Sequence, residues 1–352
     1  MGLQFIFGKS GAGKTQYIYD TVIRESVASP ETNFIVIVPE QFTVQVEKDL
    51  CRLHPSKGIF NIDVLSFGRL AYRIFEETGG LSKIVLDDEG KNLILRRIAG
   101  QFENDLHVLR GNLKKQGYIS EVKGVISEFK QYGIGPGQLD ELLDELPKES
   151  YLSYKLQDIL KVYDGFEQFL SDKYITGEDL LDILASVIPK SEYLKDTVIV
   201  MDSFTGFTPV QHKVIKELLC VCKEVAVTVL MDEREDPYVY KSPYQLFALS
   251  KQMVTGLVDL ASSRNVEIKD AVFLNNYAKS RFADNEEMAF LEANLFRYSR
   301  AKFTKEQHSI SIHAARSPKK EAEFVAAKIR QLVREEGLRY RQIGIIASDV
   351  SV

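Results

Sequence analysis

Apolar positions come in short β-branched runs near the start of the chain, give way to helical spacing in the middle, and return as short runs afterwards. Leu3-Gln4-Phe5-Ile6-Phe7 and Phe34-Ile35-Val36-Ile37-Val38 read as buried strands, and Ile62-Asp63-Val64-Leu65 as a third strand. Residues 16–23, residues 44–53 and a stretch from Ser66-Phe67-Gly68-Arg69-Leu70 through Phe75 follow them as helices. Strand alternating with helix is the pattern of a parallel sheet covered by helices.

From about 87 to 188 strand signals vanish. Asn92-Leu93-Ile94-Leu95-Arg96-Arg97-Ile98 is one amphipathic piece, and Leu156, Ile159, Leu160, Tyr163 and Phe166 line one face of another. Thr176 reads as an N-cap, with Glu178 and Asp179 in the first turn. Gly133-Ile134-Gly135-Pro136-Gly137 breaks the region, and the acidic stretch after it reads as solvated surface. Sheet signals resume at Thr197-Val198-Ile199-Val200-Met201 and at residues 225–231. Ser242-Pro243 predicts the start of a helix reaching about 260, and residues 284–296 a further one. Residues 310–314 and 343–347 read as strands flanking a helix that opens at Ser317-Pro318 and stops at Gly337. The expected organisation is a discontinuous α/β domain (1–86 and 189–305), an inserted helical domain (87–188), and the truncated start of a second α/β domain (306–352). Ending there, with no helix to cover the last sheet, implies a longer natural protein of which this is the N-terminal part.

Composition narrows the class. At 352 residues, 45% hydrophobic and 27% charged, the chain is ordinary for a globular protein, and a net charge of −5 does not advertise nucleic-acid binding. No apolar run approaches a membrane span, and a strand at the N-terminus leaves no room for a signal peptide, so no membrane and a cytoplasmic location are expected. Cys51, Cys220 and Cys222 are too few for a disulfide framework, and the last two lack a nearby His for zinc.

The chemistry concentrates at Gly8-Lys9-Ser10-Gly11-Ala12-Gly13-Lys14-Thr15, which fits G-x-x-x-x-G-K-[ST] between a strand and a helix. Glycines let successive N–H groups converge on one phosphate, and the helix N-terminus adds donors and a positive dipole end. Lys14 is expected on the β- and γ-phosphates of ATP, with the Thr15 hydroxyl on Mg²⁺. Such a loop needs an Asp at a neighbouring strand end, and Asp202 fits. Three other strand-end loops, Gln41-Phe42-Thr43, Ser66-Phe67-Gly68-Arg69 and Gly206-Phe207-Thr208, each combine an aromatic with polar groups. Aromatics stack on any base while Gln, Thr and Arg read base edges, so these loops are candidates to hold single-stranded DNA.

The stretch Asp202-Ser203-Phe204-Thr205-Gly206-Phe207-Thr208-Pro209-Val210-Gln211 resembles the superfamily-one helicase element Asp-Glu-x-Gln-Asp with its following Gln. Residues 64–74 resemble that superfamily's Thr-Phe-His-Ser segment. Together with Val38-Pro39-Glu40-Gln41-Phe42-Thr43, and over the whole chain in order, they resemble the AddB (RexB-type) family, second subunits of bacterial AddAB helicase–nucleases. The resemblance implies a P-loop, superfamily-one-like fold, an AddA-type partner that drives translocation, single-stranded and duplex-end DNA as ligands, and scanning for the recombination hotspot Chi during break repair. Gln41, Thr43, Phe67, Arg69 and Phe207 match the family's Chi pocket, and Tyr72 stands where a Trp can occur. The family's iron–sulfur cluster belongs to a C-terminal nuclease domain that nothing here matches.

Active motors of that superfamily place a Glu after the Mg²⁺ Asp. Here Ser203 stands there and Thr205 replaces the Gln, so ATP binding with weak or no hydrolysis is expected. Nor is there a Gly-Asp-x-x-Gln segment after residue 231, or an Arg soon after residue 347. Glu40, at a strand end, is the alternative carboxylate that would keep an active helicase or translocase in play. A small-molecule kinase would want an Arg-rich lid and no hundred-residue insertion, and a pure scaffold would not need Gly13-Lys14-Thr15.

Overall fold

The computed structural model describes residues 1–79, 83–113, 115–147, 149–171, 173–275 and 280–347. The chain forms two compact units, Met1–Ala283 and Asp284–Val352.

The first unit is built on a seven-stranded sheet. Its strands are β1 (Gly2–Gly8), β2 (Phe34–Ile37), β3 (Ile62–Leu65), β6 (Val198–Met201), β7 (Glu224–Leu230), β8 (Glu267–Ile268) and β9 (Val272–Phe273). The order is β3-β2-β6-β7-β1-β8, with β9 also on β1, and all these pairings are parallel. Side chains alternate between two buried layers, which is why the strands read as continuous apolar runs. Leu3, Phe5, Phe7, Ile35 and Ile37 face a core built with α3 (Phe67–Thr78), α8 (Gly177–Val187), α9 (Pro209–Val221) and α10 (Ala248–Ser263). Ile6, Phe34, Val36 and Val38 face the opposite layer, made by α1 (Lys14–Ala28) and α2 (Thr43–Leu53).

Between α3 and β6 the chain departs through β4 (Ile84–Val85) and returns through β5 (Tyr174–Ile175), two residues each, paired in parallel. The span between them carries α4 (Asp88–Gln101), α5 (Gln116–Gln131), α6 (Pro136–Glu145) and α7 (Tyr151–Leu170) around a separate apolar core of Leu95, Ile98, Leu139, Val162, Tyr163 and Phe166. Asp158, fully buried on α7, accepts from the backbone N–H groups of His107, Val108 and Leu109, and so fixes the α4–α5 connection. Helix α8 lies inside 87–188 by sequence, but its Leu180, Leu184 and Val187 sit in the core under the sheet. Charged pairs tie it to the insertion: Lys91 on α4 to Glu178 at 3.0 Å, and Lys130 on α5 to Asp179 at 2.9 Å.

Three expected elements differ. The helix expected from Ser242-Pro243 starts only at Ala248, because Ser242 Oγ accepts from the Tyr244 N–H to make a turn and Phe247 takes a left-handed φ of 61°. In the second unit, α11 (Glu286–Asn294) and α12 (Pro318–Glu335) form, with Ser317 capping α12 and Gly337 ending it at positive φ. Residues 310–314 and 343–347 are not strands. Among the described residues no strand pairs with them: the Ile310 N–H donates to Gln307 Oε1 and the Ile343 N–H to the Tyr340 carbonyl, both local contacts, and Ile312, Ile345 and Ile346 are exposed. The last residues of the expected 306–352 segment, 348–352, lie outside the described residues.

No helix among the described residues is long and apolar enough to cross a membrane. All three cysteines are free, and burial pushes the Cys222 thiol up to about 12.

Candidate functional site

Parallel pairing sends the ends of β1, β2, β3, β6 and β7 to one edge of the sheet. Ile37 is level with Leu65 and Met201, Met201 with Val227, and Gly8 with Leu230. The glycine loop, the Asp202 loop and the 38–43 and 66–69 segments therefore share one rim, where ligands of open α/β sheets bind.

The loop Gly8–Thr15 turns through Gly11 and Gly13, whose φ values are 73° and 88°. Gly11 also has no room for a side chain, since a Cβ there would lie 2.9 Å from Arg281 Cβ. Lys14 Nζ donates to the Gly8 and Lys9 carbonyls at 2.8 and 3.1 Å, curled into the loop it follows. Thr15, the second residue of α1, donates from Oγ1 to Asp202 Oδ2 at 2.9 Å. Asp202 is 2% exposed and receives two more hydroxyls, Thr228 at 2.6 Å on Oδ1 and Ser203 at 3.2 Å on Oδ2. These three hydroxyls satisfy oxygens that burial cuts off from water and fix the orientation of the side chain. Ser203 occupies the position after it in a left-handed conformation, φ 67°.

Around these groups opens a cleft of about 640 Å³, lined in part by Ser10, Lys14, Thr15, Tyr19, Asp49 and Arg281. Burial raises the Tyr19 phenol well above its ordinary range, and the Asp202 and Asp49 carboxylates add to the effect, so it stays neutral and can donate. Arg281 is anchored by its backbone N–H on the Gly11 carbonyl at 2.9 Å. Sequence reasoning missed four of these residues. Thr228 was discoverable as the lone hydroxyl in an apolar strand, and Tyr19 as the residue one turn beyond Thr15. Asp49 and Arg281 gave no local signal.

The residues have the groups a nucleotide with Mg²⁺ requires: a loop that turns through two left-handed glycines, an ammonium at the loop, and a hydroxyl and a carboxylate oxygen 2.9 Å apart. Glu40 does not line this cleft. It accepts from Ser66 Oγ and from Arg69 Nε, the latter at 3.0 Å.

The other candidate residues divide by exposure. Gln41, Phe42, Arg69 and Tyr72 are exposed at the rim. Thr43 is 1% exposed, its hydroxyl donating to the Glu40 carbonyl at 3.0 Å. Phe67 is 5% exposed in the core under the sheet, in edge contact with Phe204 and Phe207 at 5.7 and 6.2 Å between centroids. Phe207 is half-buried, its ring 6.1 Å from that of His212 on α9. His212 Nε2 is buried without a hydrogen-bond partner among the described residues, and burial lowers the imidazole pKa.

Comparison with known proteins adds a second line. The family model described as ADDB, N-terminal, matches residues 5–292. The chain is similar to the B-type subunit of the ATP-dependent helicase/deoxyribonuclease of Lachnoclostridium phytofermentans, 43% identical over 355 aligned residues, which takes in 100% of this chain and 31% of that protein. The proteins of the same name from Thermoanaerobacter sp. (strain X514) and Clostridioides difficile are 35% and 33% identical, over 99% and 100% of this chain and 30% of each of theirs. The chain thus spans about 30% of the length of the curated relatives it matches.

Proposed function

The chain belongs to the ADDB N-terminal family, and on that premise we propose that it is the nucleotide-binding, DNA-reading part of the B-type component of a helicase–nuclease. In this reading it binds ATP with Mg²⁺ on a P-loop, hydrolyses it weakly or not at all, and reads single-stranded DNA for a Chi-type hotspot. It does so beside an AddA-type partner, while double-strand DNA ends are processed for recombinational repair.

The observation that carries the nucleotide reading is the Thr15–Asp202 hydrogen bond beside the cradle. Backbone N–H groups of the loop bind the phosphates, and Lys14 exchanges its two carbonyl partners for phosphate oxygens. Thr15 and Asp202 would hold the metal, and Arg281 adds a further cationic side chain to the cleft wall. Mg²⁺, when bound, supplies charge neutralisation between the β- and γ-phosphates. No base follows Asp202: the Ser203 hydroxyl donates to it instead. The test is calorimetric titration of Mg-ATP into the parent and Asp202→Ala proteins. Equal affinity for the two would overturn the reading.

A working ATPase is the second reading, and Asp49 is what favours it, as a carboxylate on the cleft wall. Its oxygens already accept from Gln45 and Arg52, each at 2.9 Å, so both are engaged on α2 itself. For DNA, the exposed Gln41, Phe42, Arg69 and Tyr72 make the contacts, while Thr43, Phe67 and Phe207 shape the surface from below.

A further inference from the structure

Glu40 is an acidic side chain in the middle of a face assigned to a polyanion. It follows the end of β2, and Arg69 lies in the first turn of α3 just beyond the neighbouring β3, the two strands being in register at Ile37 and Leu65. Its Oε1 accepts from Arg69 Nε at 3.0 Å, and its Oε2 accepts from Ser66 Oγ. Ser66 in turn caps α3 by accepting from the Arg69 backbone N–H at 3.3 Å. Glu40 is fixed from its own side as well, through the buried Thr43 hydroxyl on its carbonyl. The guanidinium is thus held by its inner nitrogen, and among the described residues nothing bonds its two outer nitrogens.

We propose that Glu40 is a positioning residue that aims the Arg69 guanidinium and cancels its charge, so that the pair reads base edges of single-stranded DNA instead of clamping phosphate. This rests on the DNA reading above. Two consequences follow from the geometry. An arginine tethered in advance has less rotamer freedom to lose when its outer nitrogens engage a base edge. A neutral pair also attracts the backbone little, so binding depends on which base is present rather than on counterion release. A bare arginine at the same place would hold any sequence.

The test uses the full-length protein assembled with its helicase–nuclease partner. The probes are labelled single-stranded oligonucleotides: one enriched by the parent protein from a random pool, and one of scrambled order. Glu40→Gln keeps the shape and an acceptor for Nε but removes the charge. It is expected to tighten binding of the scrambled strand, to steepen the slope of log affinity against log salt by about 0.7, one phosphate contact on single-stranded DNA, and to lower the enriched-to-scrambled ratio about three- to tenfold. With Arg69→Ala already in place, Glu40→Gln should change the ratio no further. A purely structural role would weaken both oligonucleotides without steepening the slope. If Glu40→Gln leaves slope and ratio at parent values while Arg69→Ala abolishes the preference, Glu40 positions nothing and the DNA reading survives. If the parent enriches no sequence, the DNA reading fails and this proposal fails with it.

Discussion

The sheet rim and the helical insertion use charge differently. In the insertion and on the seam that joins it to α8, charged side chains are tied into the structure: Lys91 to Glu178, Lys130 to Glu167 and Asp179, Asp158 to three backbone N–H groups. Each is spent on holding helices and connections together. At the rim the buried Asp202 accepts from three hydroxyls among the described residues, and Lys14 and Arg281 line an open cleft with it. Charges satisfied by opposite charges make structure. Asp158 and Asp202 are both buried and both accept from neutral donors; what sets Asp202 apart is the open cleft it lines, with Lys14 and Arg281 on the same walls.

The largest expected effect tests whether the rim does chemistry or only binds. A missing base lowers turnover by about 10²–10⁴, so phosphate release should stay slow even with single-stranded DNA. Ser203→Glu alone should not restore it, since its left-handed backbone aims a side chain differently from an extended one. A DNA-stimulated rate above about 1 s⁻¹ that vanishes in Asp202→Ala would establish an active motor.

Next comes the contrast between aromatics. Phe67→Ala removes a buried ring from the core under the sheet and should destabilise the first unit by about 3–5 kcal/mol. Phe42→Ala, at an exposed position, should change stability by no more than about 0.5 kcal/mol yet weaken oligonucleotide binding by about 1–3 kcal/mol. Denaturant melts and fluorescence anisotropy on the two variants separate the roles. Equal loss of stability in both would mean that Phe42 is also core.

Asp158→Ala should act only in the insertion. Losing the acceptor shared by several N–H groups costs about 2–3 kcal/mol, read as faster hydrogen exchange at His107, Val108 and Leu109, with ATP affinity unchanged. Lys14→Ala should do the reverse. A charge-assisted contact worth roughly 1.5–3 kcal/mol predicts ten- to a hundredfold weaker ATP binding, with exchange in the insertion unaltered. Coupled effects in either variant would break the division between the regions.

How much was legible in the sequence follows the same division. Four of the sheet's five longer strands announce themselves as near-continuous apolar runs, and the edge strand β3 does so by its β-branched residues despite Asp63; the glycine loop is legible because its chemistry is packed into eight consecutive residues. β4, β5, β8 and β9 are two residues each, too short to show any period. Residues 310–314 and 343–347 have strand composition, but pairing depends on a neighbour, which composition does not supply. The rim candidates were recognisable as loops between strand and helix, but not by exposure: Thr43 and Phe67 begin helices α2 and α3, and each points its side chain inward. Asp49 and Arg281 reach the cleft through tertiary packing alone.

The smallest expected effect lies on the seam between the regions, where Lys91 of the insertion meets Glu178 at the start of α8. Burial by itself would push the Glu178 carboxyl up, but the Lys91 ammonium, with hydrogen bonds from its own backbone N–H and from Thr176, outweighs burial and holds the pKa below the usual carboxylate range. A carboxyl whose pKa is lower folded than unfolded contributes stability that is complete above the unfolded value, about 4.3 for Glu, and is lost as pH falls through the folded value. Acid should therefore loosen the seam before it reaches the apolar core of either region. Glu178→Gln should remove that part of the pH dependence, because the amide does not titrate, at the cost of leaving the buried Lys91 less well compensated at neutral pH. The measurement is denaturant stability of parent and Glu178→Gln from neutral pH down through the carboxylate range. The two curves should converge as pH falls, and curves that stay parallel would mean that the pair contributes nothing to holding the insertion on the sheet.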